Sequence, residues 1–406
     1  MGDGAGRVQG EVRDPPNLSE RGSRLNSNGS SVESTERALE TLDRGALLLT
    51  GATGLVGEAL IPLLRNACPQ RPLVVLTRNP ASVSTPGVLA LRADLSLPGL
   101  GLTSGTHALL RERVTQIVHS AADIRFRISV EESRLTNVDG TREMLALASE
   151  CNHLERFLQV STIYAAGKTP GTILEQPLDG RAGFVNAYQQ TKNEAEALVL
   201  EAMPRIPAAI ARLSSLIGSS SGRVHQFNYF HQTIKAIPWN PLPAIPADPT
   251  AIIHMAASDW TGRALHYLYE HCFQPGRIYH VCAGPERAWS VARLLDSTYD
   301  VFESHHPTLR LRRRPRMVSF EEFEQILAKI RHRIPSALDQ WLDALFSFLP
   351  HLSMQQRFDN SETEKLLAPR IPFPSLDTYY KEVVEYCVAS NWGRSEPTPE
   401  PVMVRA

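Results

Sequence analysis

Seven short apolar runs separated by longer amphipathic stretches constrain this chain more than any other feature. From Ala46 onward they read ALLL, LVVL (73–76), VLALRA (88–93), TQIVH (115–119), RFLQVS (156–161), AAIARL (208–213) and RIYHVC (277–282). Runs of this length suit strands buried on both faces, and the intervening segments carry helical periodicity. The stretch EESRLTNVDGTREMLALASE is one of these, with Ser129 and Glu132 placed to form a capping box at its start. Strand and helix alternation of this kind specifies an α/β fold, a doubly wound parallel sheet with crossover helices on both faces. With 406 residues, 42% apolar and 21% charged, the chain can bury one large core and an appendage.

The flanks differ in composition. Residues 1–44 are polar apart from a short helical pattern in SVESTERALETL, so they read as a disordered leader whose removal up to about Thr41 leaves folding unchanged. Gly6 stands where a myristoylation signal wants Ser or Thr. Residues 45–300 read as one Rossmann-like domain with inserted elements, residues 301–394 as a smaller, mostly helical cap, and residues 395–406 as a flexible tail. Within the cap, Trp341, Leu342, Leu345, Phe346, Phe348 and Leu349 make an apolar helical stripe. Such stripes ordinarily face a core; the sharper readings are a wall for an acyl chain or a peripheral contact with membrane lipid. Arg310, Arg312, Arg313, Arg314 and Arg316 form a basic run, by default a solvated loop, otherwise a partner for coenzyme A phosphates, an acidic carrier protein or anionic lipid.

Several classes are excluded by charge and patterning. With 42 Lys and Arg against 43 Asp and Glu, the chain lacks the basic surface of a nucleic-acid-binding protein. No run approaches the roughly 20 apolar residues of a membrane span, and no export signal opens the sequence. Cys68, Cys151, Cys272, Cys282 and Cys387 are widely spaced, with no metal-binding pattern. They read as reduced thiols, and the expected location is cytoplasmic, with the option of peripheral membrane contact.

The first strand runs into LLLTGATGLVGEAL. Gly51 permits the tight turn, Gly54 lets backbone approach a pyrophosphate, and Gly57 lets the following helix pack against the strand with its amino end toward the anion. A glycine triplet alone is common; one placed directly between strand and helix is the credible form. The second strand ends in Thr77-Arg78-Asn79. A carboxylate here would bind the ribose hydroxyls, whereas the Arg78 guanidinium suits a 2′-phosphate, which favours NADP(H) over NAD(H). Asp94-Leu95, after the third strand, fits the adenine edge, and an Asp capping the next turn fits equally well.

In NAYQQTKNEAEALV, Tyr188 and Lys192 are four apart and share a helix face. An ammonium near a phenol stabilises the phenolate and lowers its pKa from about 10 toward the working pH. QVSTIY (159–164) adds the Ser161 and Thr162 hydroxyls as holders of a carbonyl oxygen.

Taken in order, TGATGLVG (50–57), Asp94-Leu95, HSAA (119–122), NVDGT (137–141), VST (160–162) and YQQTK (188–192) resemble the short-chain dehydrogenase/reductase superfamily in its extended branch. The resemblance implies Tyr188 as acid/base, Lys192 as the group that lowers its pKa and binds the nicotinamide ribose, and Thr162 as the hydroxyl orienting the carbonyl, with Ser161 as a substitute. It makes Asn137 the asparagine that maintains a helix kink and a water of the proton relay. Thr53, Gly54, Leu55, Val56, Gly57 and Ala121 fall to the cofactor beside Gly51, Arg78, Asp94, Leu95 and Lys192. HSAADIRF (119–126), VSTIYAAG (160–167), IARLSSLIG (210–218) and FDNSETEKLL (358–367) are most similar to the fatty acyl-CoA and terminal thioester reductases, the male-sterility type. Leu213 departs from the usual Pro, and HMAASDW (254–260) keeps only Asp259 of a D-x-x-P-x-D pattern, which makes His254 a loop or core residue.

The resemblance implies reduction of an acyl thioester, carried by coenzyme A or an acyl carrier protein, by NADPH to the aldehyde and then optionally the alcohol, with no metal. Two other functions use the same motifs: an oxidoreductase or epimerase acting on a ketone, hydroxysteroid or sugar nucleotide, and a dinucleotide sensor without catalysis. A sensor has no use for a tuned phenol, and only the thioester reaction releases a thiol.

Overall fold

The computed structural model describes residues 29–236, 243–306, 314–330 and 349–395. All seven apolar runs are strands of one parallel sheet: β1 (Ala46–Thr50), β2 (Leu73–Thr77), β3 (Val88–Arg92), β4 (Val114–His119), β5 (Arg156–Thr162), β6 (Ala208–Leu213) and β7 (Ile278–Val281). Their order is β3-β2-β1-β4-β5-β6-β7, a Rossmann-like winding whose direction reverses between β1 and β4. That reversal opens a crevice at the carboxyl ends of these two strands.

Period-two alternation divides the side chains cleanly between two cores. Leu47, Leu49, Val75, Val118, Leu158, Val160 and Val281 pack beneath α2 (Leu55–Ala67) and α8 (Ser258–His271). Leu48, Val74, Ile117, Phe157 and Ile210 pack beneath α3 (Ser104–Arg113), α5 (Gly140–Glu150) and α6 (Ala187–Ala202). A short helix, α4 (Val130–Arg134), precedes α5, and Ser129 caps it by accepting a hydrogen bond from the Glu132 amide at 3.0 Å. Another, α7 (Tyr229–Ala236), follows β6.

The end of the leader is folded, contrary to the expectation of disorder through residue 44. Gly29–Glu40 forms α1, whose Leu39 is fully buried in the second core. Glu36 accepts a hydrogen bond from Thr103 Oγ1 at 2.6 Å, tying α1 to the start of α3. One buried leucine and one carboxylate suffice to dock a helix that shows little apolar stripe. Residues 1–28 lie outside the described residues.

The described carboxyl-terminal part packs on the core of the sheet. Its described helices are α9 (Val291–His305), α10 (Phe320–Ile330), α11 (Ser361–Leu367) and α12 (Tyr380–Ala389). Tyr380, Val383, Val384 and Cys387 of α12 belong to the same core as the sheet. Two three-residue strands knit it further: Arg316–Val318 pairs in parallel with Ala244–Pro246, and Gln356–Phe358 with Gly171–Ile173. Of the apolar stripe, only Leu349 is described, and it is buried; Trp341, Leu342, Leu345, Phe346 and Phe348 lie outside the described residues, as do Arg310, Arg312 and Arg313. Arg314 is held by Glu303, Asp296 and Asp300 and lies over the Tyr299 ring, and Arg316 pairs with Glu322. These two arginines are therefore engaged within the chain. No helix among the described residues is long and apolar enough to cross a membrane.

Candidate active site

The crevice at the switch point is a cleft of about 720 Å³. Its floor begins with the glycine loop. Gly51 sits at φ +75°, and a Cβ there would lie 2.7 Å from the Ala121 amide nitrogen, so only glycine fits. A Cβ on Gly57 would lie 2.3 Å from the Gly51 carbonyl oxygen, which is how closely α2 approaches the strand it follows. Gly54 is extended, caps α2 without a side chain, and lines the cleft. The first amides of α2 have no acceptor within the helix and lie at its positive end, so the loop fits an anionic diphosphate. Thr53, Leu55 and Val56 line the same wall.

Behind the loop a hydrogen-bond chain fixes the β4 end. Thr50 Oγ1 accepts from the Ser120 and Ala121 amides at 3.1 Å each, which leaves its own proton for His119 Nδ1 at 2.7 Å. His119 then donates from Nε2 to Thr141 Oγ1 at 3.2 Å. Burial, reinforced by the Lys192 charge, holds this imidazole down at about 3, so it is a neutral spacer between β1 and α5.

Arg78, Asp94, Leu95 and Ala121 all line the cleft. Asp94 accepts from the Ser96 amide at 3.0 Å and from its hydroxyl at 2.7 Å, the turn-capping geometry. Gly140 lets α5 pass close to Leu95, since a Cβ there would stand 2.9 Å from the Leu95 Cβ. Burial would raise the Asp123 carboxyl, but hydrogen bonds from Arg125 and the nearby charges of Arg125 and Arg78 keep it below the usual carboxylate range.

Asn137 lies in a π-helical turn, Leu135–Asp139, that joins α4 to α5. Its Nδ2 donates to the Asp123 carbonyl and to Thr191 Oγ1, both at 2.9 Å, while Oδ1 accepts from the Asp123 amide at 2.7 Å. It thus stitches the HSAAD loop to α6, the helix that carries Tyr188 and Lys192.

Thr162, Tyr188 and Lys192 are brought together in the cleft. Asn186 caps α6 by accepting from the Gln189 amide at 3.0 Å. Lys192 is 3% exposed and donates to the Val160 carbonyl at 2.9 Å; burial lowers it to about 8, with Glu196 opposing the shift. Tyr188 is hydrogen-bonded to Thr162, yet burial pushes the phenol up to about 12, with Tyr164 adding to the rise. The downward shift expected from the Tyr-Lys spacing is therefore not found in the polypeptide: burial raises the phenol, and the bond to Thr162 is what opposes the rise.

Ser161 also borders the cleft, but its hydroxyl turns to the opposite side of β5. Its hydroxyl donates to Glu196 at 2.5 Å, and Glu196 is paired at 2.7 Å with Arg212, itself fully buried and bonded to His280 and the Gln176 carbonyl. That commitment leaves Thr162 as the hydroxyl beside Tyr188. Leu213 ends β6 as a buried cleft residue. His254 is buried edge-on against Phe358, and Asp259 holds the Ser220 loop through its amide and hydroxyl.

Sequence reasoning missed an aromatic wall. Phe126 stacks 5.6 Å from Tyr188 and 4.2 Å from Tyr229, whose hydroxyl accepts from the Phe126 amide at 3.1 Å. Phe126 closes the HSAADIRF motif, so its position was visible while its contact with Tyr188 was not.

Residues 84–265 match the family described as Male sterility protein. The match spans the chain from before β3 into α8. Fatty acyl-CoA reductase 1 of Gallus gallus is 29% identical over 224 residues, covering 43% of this chain and 43% of that protein. Isonitrile lipopeptide synthase of Streptomyces coeruleorubidus is 28% identical over 276 residues, covering 60% of this chain and 18% of the synthase. The chain thus spans less than half the length of these relatives. Among solved structures, the terminal R domain of the myxalamid PKS-NRPS pathway superposes with a TM-score of 0.69 at 23% identity, covering 88% of this chain and 94% of that one. A thiolation-reductase di-domain of an archaeal non-ribosomal peptide synthetase gives 0.64 at 17% identity, with coverages of 92% and 83%. These superpositions agree with the parallel-sheet fold described above.

Proposed function

We infer that the cleft reduces the carbonyl of an acyl thioester to an aldehyde with a nicotinamide dinucleotide as reductant. The observation that carries this reading is the convergence of the Gly51–Gly57 cradle with Thr162, Tyr188 and Lys192 in one cleft. A thioester is favoured over a ketone by the relatives, which are named as fatty acyl-CoA reductases and peptide synthases. The donor of the acyl group is coenzyme A or a carrier-protein arm.

The cradle residues Gly51, Thr53, Gly54, Leu55, Val56 and Gly57 hold the diphosphate, Asp94, Leu95 and Ala121 flank the adenosine, and Lys192 binds the nicotinamide ribose. Arg78, at the end of β2 in the cleft wall, presents a guanidinium that pairs with a 2′-phosphate and so selects NADPH. When bound, that cofactor supplies a hydride to the carbonyl carbon. Thr162 and Tyr188 hold the carbonyl oxygen, so that the electron pair displaced from the double bond rests on an oxyanion with donors already in place. Re-formation of the C=O bond expels the thiolate, which takes its proton from water. The Tyr188 phenol, kept protonated by its burial, remains a donor throughout. A second round on the aldehyde requires full proton transfer to the alkoxide, and Tyr188 is the group placed to do it.

Oxidation of NADPH in the presence of an acyl-CoA, followed together with free thiol, tests the reading. One oxidised cofactor per thiol is expected for release of the aldehyde, and two per thiol where the aldehyde is carried on to the alcohol; oxidation with a ketone or sugar nucleotide and none with thioesters would move the chain to the other branch.

A further inference from the structure

A second pair of hydroxyls in the cleft has no part in the mechanism above. Tyr164 follows Thr162 by two residues, in a single helical turn after β5, and its amide donates to Thr162 Oγ1 at 3.2 Å. Its own hydroxyl lies 2.8 Å from Ser215 Oγ. Ser215 comes from a different part of the chain, the strand Ser215–Leu216 just past β6, which is fixed by parallel pairing with Met255–Ala256 and by its amide bond to the His254 carbonyl. Both residues line the cleft beside Thr162 and Tyr188. The Tyr164 ring is held from behind by His351, with ring centres 4.8 Å apart, so the phenol is not free to swing away.

Proton counting shows what such a pair offers. Two hydroxyls carry two O–H groups, and their mutual bond uses one of them. Whichever oxygen is the donor, one O–H is left over for a third acceptor. The Thr162 and Tyr188 pair has the same property, and the Tyr164 amide, by occupying an acceptor site on Thr162, turns the Thr162 proton elsewhere. A tetrahedral oxyanion has three lone pairs and is stabilised by more than one donor.

We propose that Tyr164 and Ser215 form a second oxygen-binding pair, which donates a hydrogen bond to the substrate carbonyl oxygen alongside the pair formed by Thr162 and Tyr188. The inference rests on the reading of the cleft as a carbonyl-reducing site and deepens it. The remaining O–H of the pair strengthens its bond as hydride arrives and negative charge gathers on oxygen; no proton leaves either residue. The arrangement suits a thioester in particular, because its oxyanion collapses with loss of thiolate and needs stabilisation rather than protonation. It also predicts redundancy: removal of either hydroxyl leaves the other with its own proton.

The test uses the full chain with NADPH and two probes, hexanoyl-CoA and hexanal. Tyr164→Phe and Ser215→Ala should each lower kcat about 3- to 10-fold, and the double variant by about 10²- to 10³-fold, the usual loss for one oxyanion donor. KM and the NADPH dissociation constant, read by cofactor fluorescence, should stay within about threefold. A packing role would instead give losses that multiply and track thermal stability. Tyr164→Phe combined with Ser215→Thr keeps one hydroxyl and should behave as a single variant. A folded double variant within about threefold of wild-type kcat overturns the proposal. If the double variant does not fold, Tyr164→Phe alone decides, and an unchanged kcat overturns it. Wild-type turnover of hexanal without hexanoyl-CoA refutes the thioester reading, and the pair is then judged on hexanal. Turnover of neither overturns both.

Discussion

Lowering the pH from 7.5 to 5.0 should destabilise this protein through four buried histidines before any carboxylate contributes. Burial holds His119 and His280 at about 3 and His231 and His254 at about 4, with Lys192 adding to the first and Arg212 to the second. Hydrogen bonds reinforce neutrality in two of them. His119 accepts from Thr50 and His280 from Arg212, so a second ring proton would break each bond, whereas His231 is held neutral by burial. His254 has no hydrogen-bond partner on either nitrogen and would carry an unpaired charge. In the unfolded chain all four titrate near 6.5. Their folded values are depressed, so the stability they confer is complete above that value and is lost as pH falls toward the folded ones. At pH 5.0 the linkage amounts to about 2 kcal/mol per ring, hence about 8 kcal/mol for four, an upper bound once local relaxation is allowed. Domains typically have only about 5–15 kcal/mol in total. Carboxylates held low, such as Asp123 and Asp259, begin to matter only near pH 4. Urea midpoints at pH 7.5, 6.5, 5.5 and 5.0 should therefore fall steeply, and His254→Leu should remove about a quarter of the slope. A midpoint unchanged across this range would refute the assignment of four neutral rings.

Tyr188→Phe should leave NADPH affinity intact while lowering turnover by about 10²- to 10⁴-fold, with aldehyde reduction hit harder than thioester reduction because only the former needs a transferred proton; wild-type rates on both substrates would show that Tyr188 is not the acid. Arg78→Asp should weaken NADPH binding by about 10- to 100-fold and NADH binding far less, since a charge-assisted bond contributes about 1.5–3 kcal/mol; an equal loss in both titrations would remove the basis for choosing NADPH. Deletion through Thr41 should cost about 2–5 kcal/mol, the usual effect of emptying a buried leucine site, because Leu39 leaves the core; an unchanged melting temperature would show that α1 contributes nothing.

The sheet was legible because a strand buried on both faces must be apolar throughout, and AAIARL coincides with β6 residue for residue. The exception inside that run, Arg212, is polar because it lies at the carboxyl end, where Thr50, His119, Ser161 and His280 occupy the same face. The three-residue strands at 244–246 and 316–318 were invisible, since no periodicity develops over three positions. The helical pattern of α1 was legible in SVESTERALETL, but its docking was not, as one buried leucine makes no stripe. At the site, the motifs singled out Thr162, Tyr188 and Lys192, which the fold brings into one cleft, but not the sign of the Tyr188 shift, which depends on depth. Tyr164 was in plain view within VSTIYAAG, yet its importance lies in Ser215, 51 residues away, and a contact of that range leaves no local signature.

The alternation of β5 resolves what residue identity left open between Ser161 and Thr162. Adjacent strand side chains point to opposite sides, so although both residues border the cleft, the two hydroxyls are turned apart and that of Ser161 is satisfied in the interior. Ser161 finds that satisfaction in Glu196, one helical turn beyond Lys192 on the buried face of α6. Glu196 is charged and buried only because Arg212 meets it with bonds from both Nε and Nη2. A pair of this kind is weak evidence for stability, since apolar residues of the same volume would bury as well. What apolar residues would not supply is direction. The fork of Arg212 accepts the carboxylate in one orientation, and that orientation fixes the rotation of α6 about its axis. The same rotation brings Lys192 to the Val160 carbonyl and turns Tyr188 toward Thr162. The geometry of the hydroxyls in the cleft is thus set from the opposite side of the strand that carries one of them.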